Sequence, residues 1–291
     1  MMHLNKFEYL SPSSLPEVFE LLERYGTRAK LVAGGTDLIV QMKEKRIAPE
    51  VMINLLEVPE LQRIERCDAG IRIGATVKLS ALESSSTFQR EWKILASAAH
   101  GVGSPQVRNR GTIGGNLCNA SPAADMAPSL LVMEAAVTLA GRKGEREIPL
   151  ESFFTGPGLT VLRSDEILKE ITIPTTPQHS FGAYLKLGRR KSMDLALVSV
   201  AVLLTLNRNK ETCERTRIAL GSVAPTPVRA SETEKMLEGK RPDEKLIQEA
   251  AQCAEKECRP ISDIRSTATY RKEMIKVHVR RAILQALAAG R

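Results

Sequence analysis

The sequence predicts an α+β protein of two domains, and three observations lead to that prediction. The chain has 291 residues, whereas one hydrophobic core usually serves about 100 to 150 residues. A strand, a glycine turn, a helix and a second strand follow one another within residues 30–55. Prolines and small polar residues at 174–180 are typical of a linker, and beyond it strands precede helices. We therefore place the domains at 1–176 and 177–291.

The first lobe of the N-terminal domain is expected at about residues 1–58. Apolar residues recur at helical spacing over 15–25, and Ser14 and Glu17 have the spacing of a capping box. Gly26 stands where a helix commonly ends. The next predicted elements are a strand, a helix and a strand, which cover 30–33, 36–45 and 51–55.

The second lobe, at about 59–176, is predicted from apolar segments bounded by glycine and proline. A strand that leads into a helix is expected first, then a helix, then two segments that fit either a helix or a strand. These segments cover 70–82, 92–102, 130–141 and 167–174.

The C-terminal domain opens with a buried strand within 196–206 and a second strand with a proline-rich turn within 216–230. Ser231 and Glu234 form a second candidate capping box ahead of a short helix. A long helix over 269–290 ends the chain. The residues of this helix that we expect to face the core are Tyr270, Met274, Val277, Leu284 and either Leu287 or Ala288.

Composition argues against several classes of protein. The formal charge is +8, but basic residues alternate with acidic ones and aromatic residues make up only 4% of the chain, so nucleic-acid binding is not expected. The longest apolar stretch, 126–140, is too short to span a membrane. A charged start unlike a signal peptide, and an odd number of cysteines without a Cys-x-x-Cys pair, predict a cytoplasmic protein with five reduced thiols.

Metal ligands and catalytic side chains are also not expected. Cys253 and Cys258 have a spacing found in iron-sulfur proteins, but no further cysteines stand close by, so two helical thiols are the simpler interpretation. His100 and His179 are expected to be surface or hydrogen-bonded histidines and not catalysts. The sequence therefore predicts neither a metal site nor a catalytic acid or base.

Two glycine pairs carry the strongest signal of a ligand. AGGTD at 33–37 lies between a strand and a helix, where positive φ angles are open to glycine and backbone amides can meet a diphosphate. TIGGN at 112–116 is a second such segment, in the other lobe. Each pair could be a plain tight turn, whereas two loops that face each other would hold a diphosphate between the lobes. GVGSPQ at 101–106 lacks the third glycine of a Rossmann fingerprint.

Five segments, in this order, resemble the flavin-binding medium subunit of the molybdenum hydroxylases, the family that includes xanthine dehydrogenase and aerobic carbon monoxide dehydrogenase. They are LVAGGTDLIVQMK, VRNRGTIGGNLCNASPAADMAP, SDEILKEITIP, LGSVAPTPVRA and DIRSTATYRKEM. The resemblance covers essentially the whole chain. It implies a two-lobed FAD-binding domain of the vanillyl-alcohol-oxidase (PCMH) type and a C-terminal α+β domain of the CO dehydrogenase flavoprotein type.

The resemblance also implies which residues bind FAD. The first loop would contact the diphosphate through Leu31, Val32, Ala33, Gly34, Gly35, Thr36, Asp37 and Leu38, and the second through Thr112, Ile113, Gly114, Gly115 and Asn116. Four further family positions near the flavin or its nucleotide correspond to Val102, Asp125, Leu168 and Lys186. The residues alone leave other roles open: Asp125 could cap a helix that begins near Met126, Lys186 could be solvated, and Val102 and Leu168 could be ordinary core.

The function implied by the resemblance is electron transfer. Two-iron two-sulfur clusters on a small partner subunit would deliver electrons through non-covalent FAD to NAD, oxygen or a quinone, and molybdopterin would lie on a large partner subunit. The likeness also implies a dimer of heterotrimers. Thr36, Asp37 and Asn116 favour the xanthine dehydrogenase side of the family. The alternatives are a stand-alone flavin reductase with the same FAD fold, which would need its own acid and base, and a non-enzymatic scaffold.

Overall fold

The computed structural model describes residues 4–190 and 192–290. Its first lobe is a small parallel sheet with strand order β1-β3-β2, and the core lies between this sheet and helix α1, which contributes Val18 and Leu22. The elements of the lobe are β1 (Glu8–Leu10), α1 (Leu15–Tyr25), β2 (Ala29–Val32), α2 (Leu38–Lys43) and β3 (Val51–Asn54).

Helix α2 is shorter than the sequence predicts, because Thr36 and Asp37 belong to the loop before it. The predicted capping box of α1 is also wrong in detail. Glu17 Oε2 accepts a hydrogen bond from the amide of Ser13, at 2.7 Å, one residue earlier than the Ser14 amide that a capping box would use.

The second lobe is built on an antiparallel sheet with order β4-β5-β10-β6-β7. The central strand β10 is buried by the helices, and Ile171 pairs with Ile73 on one side and Val137 on the other. The elements are β4 (Ile64–Cys67), β5 (Gly70–Gly74), α3 (Leu79–Ser84), α4 (Ser86–Glu91), α5 (Lys93–Gly101), α6 (Pro105–Arg110), α7 (Ile113–Cys118), α8 (Met126–Val132), β6 (Ala136–Gly141), β7 (Gly144–Pro149), β8 (Phe154–Gly156), β9 (Leu159–Thr160) and β10 (Glu166–Pro174).

The C-terminal domain is an antiparallel sheet of order β11-β12-β13-β14 with helices α9 to α11 on one face. Its other face packs on α5 and α8, so that Tyr184, Ala201 and Ala219 belong to the core of the second lobe. The elements are β11 (Ser180–Leu187), β12 (Val198–Leu206), β13 (Cys213–Gly221), β14 (Val228–Arg229), α9 (Ser231–Leu237), α10 (Glu244–Lys256) and α11 (Ala268–Gly290). This arrangement confirms the predicted α+β class.

The predicted inward face of α11 is wrong in part: Met274 and Leu287 pack against the core, whereas two other predicted residues do not. Tyr270 is 46% exposed and Leu284 is 40% exposed. Because apolar residues lie on more than one side of this helix, the sequence does not single out one stripe. The residues that fill the core against the sheet are Ile275, Val279, Ala282, Ile283 and Ala286.

The second predicted capping box is replaced by a longer-range contact. Glu234 is buried and accepts hydrogen bonds from the amide of Ile218 at 2.8 Å and from the guanidinium of Arg229 at 2.7 Å. This carboxylate therefore joins α9 to strands β13 and β14 instead of closing the first turn of its own helix.

Candidate functional site

The structure contains a cavity of ≈ 600 Å³ where the two lobes and the C-terminal domain meet. Residues 30–38 of the first lobe form one wall, and parts of 102–125 of the second lobe form the opposite wall. Residues 193–195, in the connection between β11 and β12, form a third wall. Both glycine segments singled out by the sequence therefore reach the same cavity.

The loop between β2 and α2 offers a row of backbone donors. The amides of Gly34, Gly35, Thr36 and Asp37 have no hydrogen-bond partner among the described residues. Gly35 has a φ of 72°, a conformation that strongly favours glycine. These residues are half-buried or exposed on the cavity wall, so their four adjacent amides are open to water or to an anionic ligand such as a phosphate.

The sequence suggests a positive φ for both glycines of this loop, but Gly34 is required for a different reason, which is the space around it. A Cβ atom built on Gly34 would lie 2.3 Å from the carbonyl oxygen of Arg110 and 2.7 Å from the Cα atom of Gly111. The absence of a side chain thus lets the first-lobe loop touch the backbone of the second lobe. This contact sets the distance between two walls of the cavity.

The second glycine segment is the start of a helix and not a turn. Thr112 Oγ1 accepts a hydrogen bond from the Gly115 amide at 3.0 Å, while the amides of Ile113 and Gly114 bond to Val77 and Ala75 at 3.0 Å and 2.8 Å. These three amides are therefore used within the fold. The residues of this segment that line the cavity are Thr112, Gly115 and Asn116, whereas Ile113 and Gly114 pack inward.

Asp125 is buried on the cavity wall and paired with two side chains of the C-terminal domain. Its carboxylate accepts hydrogen bonds from the Tyr184 hydroxyl at 2.8 Å and the Lys186 ammonium at 2.7 Å. The amide of Met126 instead donates to Asn116 Oδ1, at 3.4 Å, so the capping role considered for Asp125 falls to Asn116. Lys186 is not solvated, since its side chain is only 14% exposed.

The electrostatics of this group follow from its burial. Burial raises the pKa of Asp125 above the usual aspartate range, and the charge of Lys186 offsets part of that shift. Burial also raises the pKa of Tyr184, and the neighbouring Asp125 charge adds to the effect, so the phenol stays a donor. The pKa of Asp37 is likewise raised by burial, with a hydrogen bond from Thr36 acting against the shift.

The sequence-predicted residues divide into two sets. Those that line the cavity are Leu31, Val32, Ala33, Gly34, Gly35, Thr36, Asp37, Leu38, Val102, Thr112, Gly115, Asn116 and Asp125. Leu168 is packed in the core of the second lobe at 3% exposure, which matches the core role left open for it. Lys186 lies in the wall of a neighbouring cavity of ≈ 420 Å³.

Sequence reasoning missed further cavity residues: Lys30, Gln41, Ile47, Leu79, Gly103, Val107, Gly111, Cys118, Asn119, Ser121, Ala123, Ala124, Gly158, Met193, Asp194 and Leu195. The run of small residues just before Asp125 was a usable signal, whereas 193–195 carry no recognisable pattern. Burial raises the pKa of the Cys118 thiol to about 12, so this side chain is neutral in the cavity wall.

Acid–base and metal chemistry have little support around the cavity. His100 has a 75% exposed side chain and contacts Glu83 at 2.7 Å, and His179 is exposed, as the sequence predicts. Residues 4–190 and 192–290 contain no group of three or more His, Cys, Asp or Glu side chains placed to hold a metal ion. Of the helices described here, none is long and apolar enough to cross a membrane.

Comparison with known proteins gives two family matches that together span most of the chain. Residues 5–176 match the FAD binding domain in molybdopterin dehydrogenase, and residues 183–286 match the CO dehydrogenase flavoprotein C-terminal domain. The carbon monoxide dehydrogenase medium chain of Hydrogenophaga pseudoflava is 38% identical over 97% of this chain and 98% of its own length. The xanthine dehydrogenase FAD-binding subunit of Escherichia coli O157:H7 is 29% identical over 97% of this chain and 96% of its own length.

Solved structures agree with these matches. The carbon monoxide dehydrogenase from Hydrogenophaga pseudoflava that lacks the Mo-pyranopterin moiety superposes with a TM-score of 0.95 at 37% identity and 99% coverage of both chains. Quinoline 2-oxidoreductase from Pseudomonas putida 86 gives a TM-score of 0.93 at 30% identity, again over 99% of both chains. Overall identity is thus higher to a carbon monoxide dehydrogenase chain than to the xanthine dehydrogenase subunit, and it does not follow the preference suggested by Thr36, Asp37 and Asn116. From its folds, its cavity and these matches, the chain belongs to the FAD-binding medium subunits of the molybdenum hydroxylases and is an oxidoreductase subunit.

Proposed function

We propose that this chain binds FAD non-covalently in the cavity between its lobes and relays electrons from iron-sulfur clusters of a partner subunit to NAD or another soluble acceptor. The observation that carries the proposal is the row of four free amides at 34–37, whose residues line the same cavity as residues of the second lobe. Bound FAD would supply the redox chemistry, while the protein sets its position and solvent access.

The described residues fit this cofactor. The free amides of 34–37 suit the diphosphate, and Thr112 and Asn116 stand on the opposite wall. Leu79, Val102 and Val107 give the same cavity an apolar part that suits an aromatic ring system. We assign Leu31 to Leu38, Val102, Thr112, Gly115, Asn116 and Asp125 to FAD binding on this basis.

An electron relay is favoured over a stand-alone reductase because two carboxylates of the cavity, those of Asp125 and Asp194, already have partners. Asp125 is held by Lys186 and Tyr184, and Asp194 accepts the Arg190 amide at 2.7 Å. A reductase that protonates its own substrate needs a free acid or base within reach, so the occupied carboxylates support electron transfer alone.

Non-covalent binding is tested by precipitating the FAD-loaded chain with acid. Flavin attachment needs a nucleophilic side chain, and the nearest thiol, Cys118, is kept neutral by burial. We expect all yellow colour to appear in the supernatant. Colour that remains in the pellet would contradict non-covalent binding, and an apo chain that takes up no FAD would contradict the proposed function itself.

The partner proposal follows from the relatives, several of which are named medium chains or FAD subunits. We propose a hetero-oligomer with a large molybdopterin subunit and a small iron-sulfur subunit, arranged as a dimer of heterotrimers. Co-expression of the three chains followed by size exclusion and mass measurement tests both points. Separate elution of this chain, with FAD bound and with reductase activity of its own, would favour the stand-alone reductase.

The proposal also covers the limits of the two domains and the cytoplasmic location of the protein. The family matches over 5–176 and 183–286 support domains at 1–176 and 177–291, joined through residues 175–179 between β10 and β11. All five cysteines are free thiols, which supports a cytoplasmic location.

A further inference from the structure

Lys186 uses every donor of its ammonium group on the protein itself. Its Nζ atom donates to the Gly101 carbonyl at 2.8 Å, to Asp125 Oδ2 at 2.7 Å and to the Asp194 carbonyl at 2.9 Å. A lysine has three N–H donors. No donor therefore remains for a ligand unless one of these contacts breaks.

The three acceptors belong to three separate parts of the cavity surroundings. Gly101 ends α5, Asp125 precedes α8, and Asp194 lies in the connection between β11 and β12. Two of the joined residues, Asp125 and Asp194, line the ≈ 600 Å³ cavity, while Lys186 itself lies behind them in the neighbouring cavity. The ammonium is thus placed to hold these three segments together.

Polar contacts from several sides hold the wall segment 192–195, among them the Arg190 guanidinium, which donates to the Met193 carbonyl at 2.9 Å, and the Arg190 amide, which donates to Asp194 Oδ2 at 2.7 Å. The Met193 amide and the Ser192 hydroxyl both donate to the Gly103 carbonyl, at 2.8 Å and 3.3 Å. Met193 has a φ of 53°, which is unfavourable for a residue with a side chain and must be maintained by neighbouring contacts. Met193 and Leu195 are 57% and 51% exposed, so apolar burial does little to fix this segment.

We propose that Lys186 is a positioning residue: it fixes the 192–195 segment and Asp125 as adjoining walls of the cavity and does not contact the cofactor. The resemblance-based assignment of Lys186 to FAD binding is thereby replaced by a role behind the site. The part of this inference that concerns FAD rests on the proposed function. The hydrogen bonds from Lys186 to the Gly101 and Asp194 carbonyls, here called the tether, are present in the protein without cofactor.

Three variants separate the tether from the ion pair. Lys186→Met removes all three hydrogen bonds, whereas Asp125→Asn removes the charge pair and leaves the donors to Gly101 and Asp194 in place. The double variant Lys186→Met/Asp125→Asn removes the tether without leaving an unpaired buried carboxylate. Lys169→Met is the matched control, because Lys169 is also a strand lysine, 23% exposed, and pairs with Glu145 away from the cavity.

The first measurement is the rate of trypsin cleavage at Arg189 and Arg190 in the full chain without FAD. Both residues are exposed and adjoin the tethered segment. We expect the single Lys186 variant and the double variant to be cleaved at least about tenfold faster than the wild type, equivalent to about 1.4 kcal/mol of easier local opening. Asp125→Asn and Lys169→Met should stay within about twofold of the wild type.

The tether can be tested even if a variant lowers the global stability of the protein. A double variant cleaved at the wild-type rate would show that the unpaired Asp125 charge caused the effect, which would overturn the tether. Unchanged cleavage in Lys186→Met would overturn it directly. Urea unfolding of each variant reports global stability, and a cleavage rate that follows only the unfolding midpoint would also count against a local role.

The second measurement concerns the loaded protein. We expect Lys186→Met, which leaves every residue assigned to FAD in place, to alter the visible circular-dichroism bands of bound FAD because two cavity walls shift, while Lys169→Met leaves them unchanged. A loss of FAD affinity with wild-type trypsin cleavage would indicate direct contact and overturn the positioning role. A wild-type chain that binds no FAD would refute the proposed function and leave the cleavage result standing.

Discussion

Replacement of Gly34 by alanine tests the contact that joins the two lobes. The added Cβ atom would lie 2.3 Å from the Arg110 carbonyl oxygen, whereas ordinary contacts begin near 3.4 Å. Because the obstacle is backbone and not a flexible side chain, the loops must separate by roughly 1 Å, a gap that forfeits a large part of each van der Waals contact across it. We expect FAD affinity to fall by about tenfold to a hundredfold, or about 1.4 to 2.8 kcal/mol.

The assay is titration of apo-protein with FAD, followed by quenching of flavin fluorescence. Gly156→Ala is the matched control, since its Cβ atom would find only the Leu159 side chain, at an ordinary 3.5 Å. Gly35→Ala separates backbone strain from lobe contact, because φ is 72° there and its Cβ atom would meet only the side chains of Ile39 and Val32. If Gly34→Ala binds FAD within twofold of the wild type, the loop contact does not set the width of the site.

Two further substitutions test other parts of the fold. Gly114→Val places a Cβ atom 2.6 Å from that of Ala75, and the resulting displacement of α7 should lower FAD affinity at least about tenfold; unchanged flavin content would show that α7 does not set this wall. Asp263→Asn removes a carboxylate that accepts the Arg265 and Ser266 amides and the Arg271 guanidinium, and at pH 6 it should lower the free energy of unfolding by about 2 kcal/mol. Burial alone would raise the pKa of Asp263, but the amide and guanidinium of Arg265 hold it well below the usual range. The extra stability of the wild type should therefore be complete above the pKa of aspartate in the unfolded chain, about 3.9. It should decrease as the pH falls towards the pKa of Asp263 in the folded protein. A difference between the two proteins that stays constant from pH 6 to pH 3 in urea titrations would contradict this account.

The sequence by itself determined the elements whose signals are local. The spacing of apolar residues predicts α1, and a glycine pair between a strand and a helix predicts the 34–37 loop, because these patterns reflect contacts within a few residues. The same local patterns predicted the inward face of α11 only in part, because that helix is apolar on several sides. They also gave the wrong partners for Glu17 and Glu234, since several polar atoms compete for one carboxylate.

Only the tertiary structure decided which residues form the cavity together. Asp125 and Lys186 are separated by 61 positions, and nothing in their own neighbourhoods shows that one ammonium joins Asp125, Gly101 and Asp194. Leu168 lies where the register of β10 shifts against β6, and Ile167 and Leu168 are both buried there, so simple alternation does not reveal which side chains reach a ligand. The amides of 113–115 are consumed by long-range and capping hydrogen bonds, whereas those of 34–37 remain free. Local patterns thus determine which backbone amides are suited to an anion. The packing of distant segments determines which of these amides stay unpaired, because hydrogen bonds to those segments compete for the same donors.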